Sequence, residues 1–350
     1  MDVQLLKSLS EARGISGQES AVRQVVLDAI DGHAEQIRIE TLGSITAVKS
    51  GTGERRLRVM IAAHMDEIGF MVAGVDGDGL VRFVNVGGVD DRILPGLRVK
   101  IGTNGISGVV VWTPIHLNRD QTVVKMSSLR IDIGASSKDD ANSRVKLGDM
   151  IVFDTSFAEL GDQMVRGKAF DDRAGCSLLI DVLRGGPYPV DILAAFTVQE
   201  EIGLRGAQVA AQFFQPDVAF VLEGTTANDI PNPLREMDDQ DEPNPTCCVL
   251  GGPVISIMDR SLIVDPRMFN FLKTTAEKHE IPYQFKTQLG GGTDGGMIHL
   301  ANSGVMTGVI SLPCRYIHSP AALLHRADYD HALQLIQAAL QDIDDSVVRR

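Results

Sequence analysis

The chain contains no apolar run approaching eighteen residues, which argues against a membrane-spanning helix. Cysteine is scarce: Cys176, Cys247, Cys248 and Cys314 are the only four in 350 residues. That is too few for a disulfide framework, and none lies in a CxxC pair, so a reducing compartment fits. Positive charge is short as well, with 33 Lys and Arg against 46 Asp and Glu and a formal net charge of −13. Binding to a phosphate backbone depends on clustered cations, and no basic stripe is present, so nucleic acid is not an expected partner. The opening segment "MDVQLLKSLSEARG" lacks the basic and apolar regions of a signal peptide. The expectation is a cytoplasmic protein with no membrane partner.

The residues that are present read as those of a globular enzyme. Hydrophobic residues make up 44% and charged residues 23%, with 35 glycines and one tryptophan, which sets aside disordered and collagen-like classes. Single cores stop growing at about 250 to 300 residues, so two structural units are expected. The acids of "REMDDQDEPNP", from Glu236 to Glu242, lie between prolines, and the stretch reads as a solvated loop.

Periodicity divides the chain into three stretches. "VQLLKSL" and "SGQESAVRQVVLDAI" have helical spacing, the second opening with Ser16 and Glu19 in a capping-box pattern. "LRVMIAAH", ending at His64, is a continuous apolar run of the kind buried on both faces. From Ile68 to Gly161 short Val- and Ile-rich runs and turn signals such as Asn104-Gly105 replace helices, as in a small antiparallel β barrel or sandwich. Beyond Val165 strands and helices alternate again, through "RAGCSLLIDVLRGG", "DILAAFTV", "RGAQVAAQFF", "DVAFVLE", "GVMTGVISL" and a final amphipathic helix. The expected fold is α/β, a mainly parallel sheet with helices on both faces, formed by residues 1–67 and 162–350 and interrupted by a β domain over 68–161.

Acids and imidazoles follow the expected strands. His64, the adjacent pair Glu200 and Glu201, Glu223 and His318 each stand at or just beyond an apolar run. Residues at the carboxyl ends of strands in an open α/β sheet converge on one crevice. Asp171 and Asp172, ahead of a helix expected to begin near Ala174, are placed to meet them. Two imidazoles and several carboxylates without a thiolate suit Zn2+, Mn2+ or Co2+. The number of donors favours two ions, because one carboxylate can bridge a pair. Taken singly, each acid reads as a helix cap or surface charge and each histidine as a satisfied polar group. His33, His116, His279, His299, His325 and His331 keep that reading, with His116 in "TPIHLNRD" the first to check. The like charges of Glu200 and Glu201 are tolerable if successive side chains of an extended backbone diverge, one toward a metal and one toward water.

The motifs "AAHMDEIGF", "GKAFDDRAGC", "FTVQEEIGLRGA", "VLEGTTA", "GGGTDGGMIH" and "LPCRYIHSP" occur in that order. Together they strongly resemble the cytosolic metallo-aminopeptidases of the tetrahedral-aminopeptidase type, a family that includes glutamyl and deblocking aminopeptidases and proteins once labelled endoglucanases. The resemblance spans nearly the whole chain. It implies removal of N-terminal residues from peptides by a water activated by two divalent metal ions per chain, Zn2+ with Co2+ or Mn2+ as alternatives. It further implies that His64 and Glu223 hold one metal, Glu201 and His318 the other, and Asp171 both. Glu200 would be the general base, and Asp66 the acid that orients the His64 ring. Many relatives have Asp where Glu223 stands, a departure of one methylene that bears on metal preference and geometry. Relatives of this fold often have a cis peptide after the bridging Asp, so one is expected at Asp171-Asp172. The family also implies a homo-oligomer, a dodecamer, to which the β domain would contribute contacts and access control. The alternatives are a related di-metal deacylase or carboxypeptidase, a glycoside hydrolase, for which adjacent Glu200 and Glu201 lack the opposed placement that glycosidases need, and a non-catalytic scaffold.

Overall fold

The computed structural model describes residues 1–114, 116–117, 122–230, 247–286 and 290–348. The acidic stretch from Glu236 to Glu242 lies outside the described residues. The strands in chain order are β1 (Glu35–Ile39), β2 (Ile45–Lys49), β3 (Arg58–His64), β4 (Gly69–Val75), β5 (Val81–Val86), β6 (Arg98–Ile101), β7 (Ile106–Val111), β8 (Arg130–Asp132), β9 (Met150–Phe153), β10 (Ala158–Leu160), β11 (Met164–Gly167), β12 (Asp191–Thr197), β13 (Val218–Ala227), β14 (Val254–Ile255), β15 (Gln284–Phe285), β16 (Met306–Arg315) and β17 (Ala322–His325). The helices are α1 (Val3–Glu11), α2 (Ser20–Ile30), α3 (Lys138–Arg144), α4 (Phe170–Arg184), α5 (Arg205–Phe214), α6 (Pro266–Lys278), α7 (Gly295–Ile298), α8 (Arg326–Asp342) and α9 (Asp345–Val348).

One large sheet runs β1-β2-β12-β3-β13-β16-β17-β11-β10, with β14 paired to β16 and β15 to β14. Its four central strands, β12, β3, β13 and β16, are parallel. Residues of both parities are buried along β3 beyond Arg58 and along β12 beyond Asp191, so both faces are covered, as their continuous apolar character requires. The margins are antiparallel, including β2 against β12 and β17 against β16, so the sheet as a whole is mixed. The second structural unit is a barrel rather than a sandwich: β4-β5-β8-β7-β6-β9 closes on itself. Phe70 lies at its centre, edge-on to Phe83 at 5.2 Å and to Phe153 at 5.9 Å. Closure leaves these strands without an exposed edge.

The capping box does not form. The side chain of Glu19, the N-cap of α2, makes no capping hydrogen bond to the helix, and the Ser16 hydroxyl donates instead to Asp66 Oδ2 at 2.6 Å. The Glu19 side chain is likewise turned away from the cap, accepting from the Gly17 N–H at 2.6 Å, and the Ser16 contact is a charge-assisted hydrogen bond to a buried carboxylate. Glu223 is also not terminal, since β13 continues beyond it to Ala227 in register with β16. Among the described residues no helix is long and apolar enough to cross a membrane.

Candidate active site

The parallel centre of the sheet delivers the site. His64 is the last residue of β3, Glu200 and Glu201 lie in the turn just beyond β12, and His318 lies just beyond β16. Asp171 sits at the head of α4, where Asp171 and Asp172 depart from helical angles and the peptide between them is cis, as expected. Because these strands run in the same direction, their carboxyl ends open on one crevice. Glu200 and Glu201 are not separated by strand alternation: Gln199 has a positive φ of 58° and reverses the chain just before them.

His64, Asp171, Glu200, Glu201, Glu223 and His318 come together in one cluster. His64 Nε2 lies 3.2 Å from Asp171 Oδ1 and 3.4 Å from Glu223 Oε1. His318 Nε2 lies 3.2 Å from Asp171 Oδ2 and 3.3 Å from Glu201 Oε1. Asp171 therefore faces one imidazole with each of its two oxygens. Glu200 Oε2 is farther, 3.9 Å from His64 Nε2. Three groups of donor atoms lie within 4.8 Å of one another: His64 with Asp171 and Glu223, Asp171 with Glu201 and His318, and His64 with Glu200 and Glu201.

Both rings are anchored from behind. His64 Nδ1 is 3.1 Å from the Asp66 carbonyl oxygen, and His318 Nδ1 is 3.1 Å from the Gly88 carbonyl oxygen. A ring that donates through Nδ1 turns a bare Nε2 toward the cluster, the form that binds a cation. Asp66 does more than flank His64. Its Oδ1 accepts from the Glu200 backbone N–H at 3.0 Å, and its Oδ2 from the Glu201 N–H at 3.2 Å and from Ser16. One buried carboxylate thus ties the β3 end to the turn that carries both glutamates. Asp172 accepts from the backbone N–H groups of His64 and Gly175, a structural role. Behind the two ends, Arg173 and Lys168 converge on Glu67 Oε1 at 3.3 and 2.6 Å.

The electrostatics show a cluster short of positive charge. Burial opposes charging of His64, but Glu223 and Glu200 outweigh it and raise its pKa well above the usual imidazole range. Burial acts in the same sense on His318, yet hydrogen bonds with Asp171 and Glu201 carry it up to about 11. Burial pushes Glu223 up to about 8 and Glu200 well above the usual range, with neighbouring acids adding to both shifts. Burial would also raise Asp171, but its two imidazoles hold it well below the carboxylate range. Divalent cations would reverse the pressure on these acids.

The site fits such cations. The two Nε2 atoms point inward, the remaining donors are hard oxygens, and Glu223 Oε2 is buried without a hydrogen-bond partner. Glutamates and imidazoles without a thiolate match Zn2+, Co2+ or Mn2+. Beside the cluster is a cavity of about 680 Å³ lined by Glu200, Glu201, Glu223, His318, Leu204, Lys286 and Gly290, Gly291 and Gly292 of "GGGTDGGM". That glycine wall is held by Asp259, whose Oδ2 accepts from the Thr293 hydroxyl and whose Oδ1 accepts from Ser261 and Leu262. Asp294, within the same motif, is buried, accepts from the Thr197 hydroxyl through Oδ2, and has no partner on Oδ1. Burial pushes its pKa up to about 6.

Sequence reasoning missed Ser16, Gly88 and Asp294. Ser16 and Gly88 act through contacts between distant segments, for which a single sequence carries no signal. Asp294 lies inside "GGGTDGGMIH", where no apolar run before it marks it as a strand-end acid. Of the histidines set aside, His325 caps α8 and His279 pairs with Asp342. His116 is exposed in the barrel unit and belongs to none of the donor groups found among the described residues.

The geometry agrees with what this chain is similar to. The profile of the M42 glutamyl aminopeptidases matches residues 43–335, and a short profile named AMPT matches residues 2–26. A lysyl aminopeptidase of Pyrococcus furiosus is 33% identical, over 98% of this chain and 98% of its own. The crystal structure of a TET aminopeptidase from the marine sediment archaeon Thaumarchaeota archaeon superposes with a TM-score of 0.92 at 34% identity, covering 99% of this chain and 97% of that one. The TET1 peptidase of Pyrococcus horikoshii, described as assembling into a tetrahedron or a large octahedral shell, gives 0.85 at 33% identity, over 97% and 99%. With the profile spanning most of the chain and relatives matched end to end, this protein belongs to the M42 glutamyl aminopeptidase family.

Proposed function

We propose that this aminopeptidase works with two divalent cations, one held by His64 and Glu223, the other by Glu201 and His318, with Asp171 shared. The observation that carries the reading is Asp171, which meets a different inward-facing imidazole nitrogen with each carboxylate oxygen. The third donor group, His64 with Glu200 and Glu201, competes for the same His64 nitrogen. Glu200 stands farther from that nitrogen than Asp171 or Glu223, which favours it as the base.

Bound cations would supply Lewis-acid polarisation of the scissile carbonyl and of a water molecule. Glu200, at the edge of the cavity, takes the proton of the attacking water as its oxygen bonds to the carbonyl carbon. It then delivers that proton to the leaving amine as the C–N bond breaks. Asp66 fixes the backbone from which Glu200 and Glu201 project, so base and ligand keep their spacing. Zn2+ is the proposed native ion, with Co2+ and Mn2+ as alternatives. The proposed domains are a catalytic unit of residues 1–67 and 162–350 and an inserted β unit of 68–161 that serves oligomerisation and access. The barrel unit reaches the site through Gly88, which supports a part in access. A cytoplasmic homo-oligomer, a dodecamer by likeness to the tetrahedral peptidases, completes the reading.

A panel of aminoacyl and N-acylated peptides, assayed after chelation and stepwise return of Zn2+, Co2+ or Mn2+, tests it. Cleavage confined to free-amine peptides, with activity rising to a plateau at two ions per chain, is expected. Cleavage of N-acylated peptides would favour the deacylase, and activity undiminished by chelation would refute the metal assignment.

A further inference from the structure

The two imidazoles of the cluster are held by different parts of the molecule. His64 ends β3, which lies between β12 and β13, and its Nδ1 meets the carbonyl oxygen of Asp66, two residues along the same segment. His318 is not on a strand. It lies three residues beyond β16, in a loop where Tyr316 and His318 have left-handed φ values of 59° and 56°. Bulky residues enter that region only where their surroundings over-determine it. The His318 side chain is 38% exposed against 2% for His64, so burial does not fix its ring.

The barrel supplies what burial does not. Gly88, two residues beyond β5, places its carbonyl oxygen 3.1 Å from His318 Nδ1. Thr155, two residues beyond β9, donates its hydroxyl to the Pro320 carbonyl at 2.6 Å. The same turn touches Glu201: a Cβ on Gly87 would lie 3.2 Å from Glu201 Cβ and 2.7 Å from Ile68 Cγ2. Gly87 has a φ of 81°, which glycine adopts without strain. Its carbonyl accepts from the Asn85 side-chain amide at 2.9 Å, which ties the turn back to β5. The barrel thus lies against Glu201 and His318, the pair assigned to one cation. The pair assigned to the other, His64 and Glu223, stands on the neighbouring strands β3 and β13.

A metal-binding imidazole keeps its direction through the hydrogen bond on its other nitrogen. We infer that the Gly87–Gly88 turn, with Asn85 and Thr155 behind it, positions the Glu201–His318 cation site, so that the barrel sets the affinity for one ion while the sheet sets the affinity for the other. The inference rests on the two-cation reading above. Neither Asn85 nor Thr155 is among the described residues lining the cavity; they act through Gly87 and the His318 loop.

Metal-free wild type, Asn85→Ala, Thr155→Val and Thr155→Ser are titrated with Zn2+ against a chromogenic chelator, with melting temperatures of the metal-free proteins measured beside them. Two ions per chain are expected throughout. One dissociation constant should rise roughly 10-fold in Asn85→Ala and in Thr155→Val, the lower end of the loss from an orienting group, with the other within about threefold of wild type. Thr155→Ser keeps the hydroxyl and should keep both constants. Added to Glu201→Gln, which removes a ligand of the barrel-side ion, Thr155→Val should not weaken the ion that still binds tightly; added to Glu223→Gln, it should. At saturating Zn2+, kcat and KM of Asn85→Ala and Thr155→Val should return to within about threefold of wild type. Unchanged constants in both variants, equal weakening of both ions, or the same loss in the Glu201→Gln and Glu223→Gln backgrounds would overturn the inference while two bound ions leave the cation reading standing. A wild type that binds fewer than two ions would overturn both.

Discussion

Asp66→Asn is the perturbation that most directly tests how the site is built. The Asp66 carboxylate is fully buried and accepts from the Glu200 N–H, the Glu201 N–H and the Ser16 hydroxyl. Burial would raise its pKa, but the hydrogen bond and charge of His64 hold it below the usual carboxylate range, so it is ionised under any ordinary assay condition. An amide keeps one acceptor oxygen and turns its NH2 toward the Glu200 or the Glu201 N–H, neither of which can accept. A hydrogen bond to a charged group contributes about 1.5 to 3 kcal/mol, and a buried donor left unpaired costs about 1 to 3 kcal/mol. Losing one bond and stranding one donor therefore predicts a destabilisation of about 2.5 to 6 kcal/mol. The urea midpoint of the chelated protein reads it, because no metal effect then intrudes. Catalysis should suffer beyond stability, since both glutamates hang from the backbone that Asp66 holds, and loss of such an orienting group lowers metal affinity or activity about 10- to 100-fold. Ser16→Ala removes only the hydroxyl donor, with about 1 kcal/mol expected and a far smaller loss of kcat/KM. Equal kcat/KM losses in the two variants, or Asp66→Asn with wild-type kcat/KM, would refute the argument that Asp66 acts through the Glu200–Glu201 backbone.

Three further outcomes are expected. Glu200→Gln should bind metal with wild-type stoichiometry and lose about 10²- to 10⁴-fold in kcat, the range of a general base; metal analysis beside steady-state kinetics checks it, and wild-type turnover would sink the assignment. Gly224→Ala would place a Cβ 3.0 Å from Asp171 Cα and Cβ, so a destabilisation of about 1 to 3 kcal/mol is expected, together with a loss of activity from displacement of Asp171; unchanged melting and turnover would show that the cis segment can retreat. Burial brings Lys168 down to about 8 from 10.5, with Glu67 opposing. Between those values the unfolded chain binds more protons than the folded one, so stability relative to Lys168→Met should rise with pH from about 8 to about 10.5, by on the order of 2 to 3 kcal/mol; a flat or falling difference would show that Lys168 keeps its ordinary proton affinity.

Much of the molecule was legible in one dimension because its signals are local. "LRVMIAAH" and "DILAAFTV" are continuous apolar runs, and only strands covered on both faces can bury such runs. The short Val- and Ile-rich segments between Ile68 and Gly161 carry their own turn residues, so a separate β unit could be read without knowing that it closes. Barrel closure depends on β4 pairing with β9, and the antiparallel margins of the sheet depend on β2 and β17 returning beside β12 and β16. Those pairings join segments that no periodicity links.

The same division holds at the site. Sequence order and the resemblance named His64, Asp171, Glu200, Glu201, Glu223 and His318, because strand ends in a parallel sheet must face one crevice. Sequence misjudged how Glu200 and Glu201 are set apart, since a left-handed Gln199 rather than strand alternation turns the chain there. It put Ser16 into a helix cap, since a capping pattern is local and its competitor, the Asp66 carboxylate, is 50 residues away in the chain. Sequence alone determined which residue types could hold cations and on which elements they lie, because composition and period are properties of neighbours along the chain. Only the tertiary structure decided that Asp171 faces both imidazoles, that Asp66 binds the glutamate turn and that Lys286 shares their cavity, because each depends on segments brought together by packing.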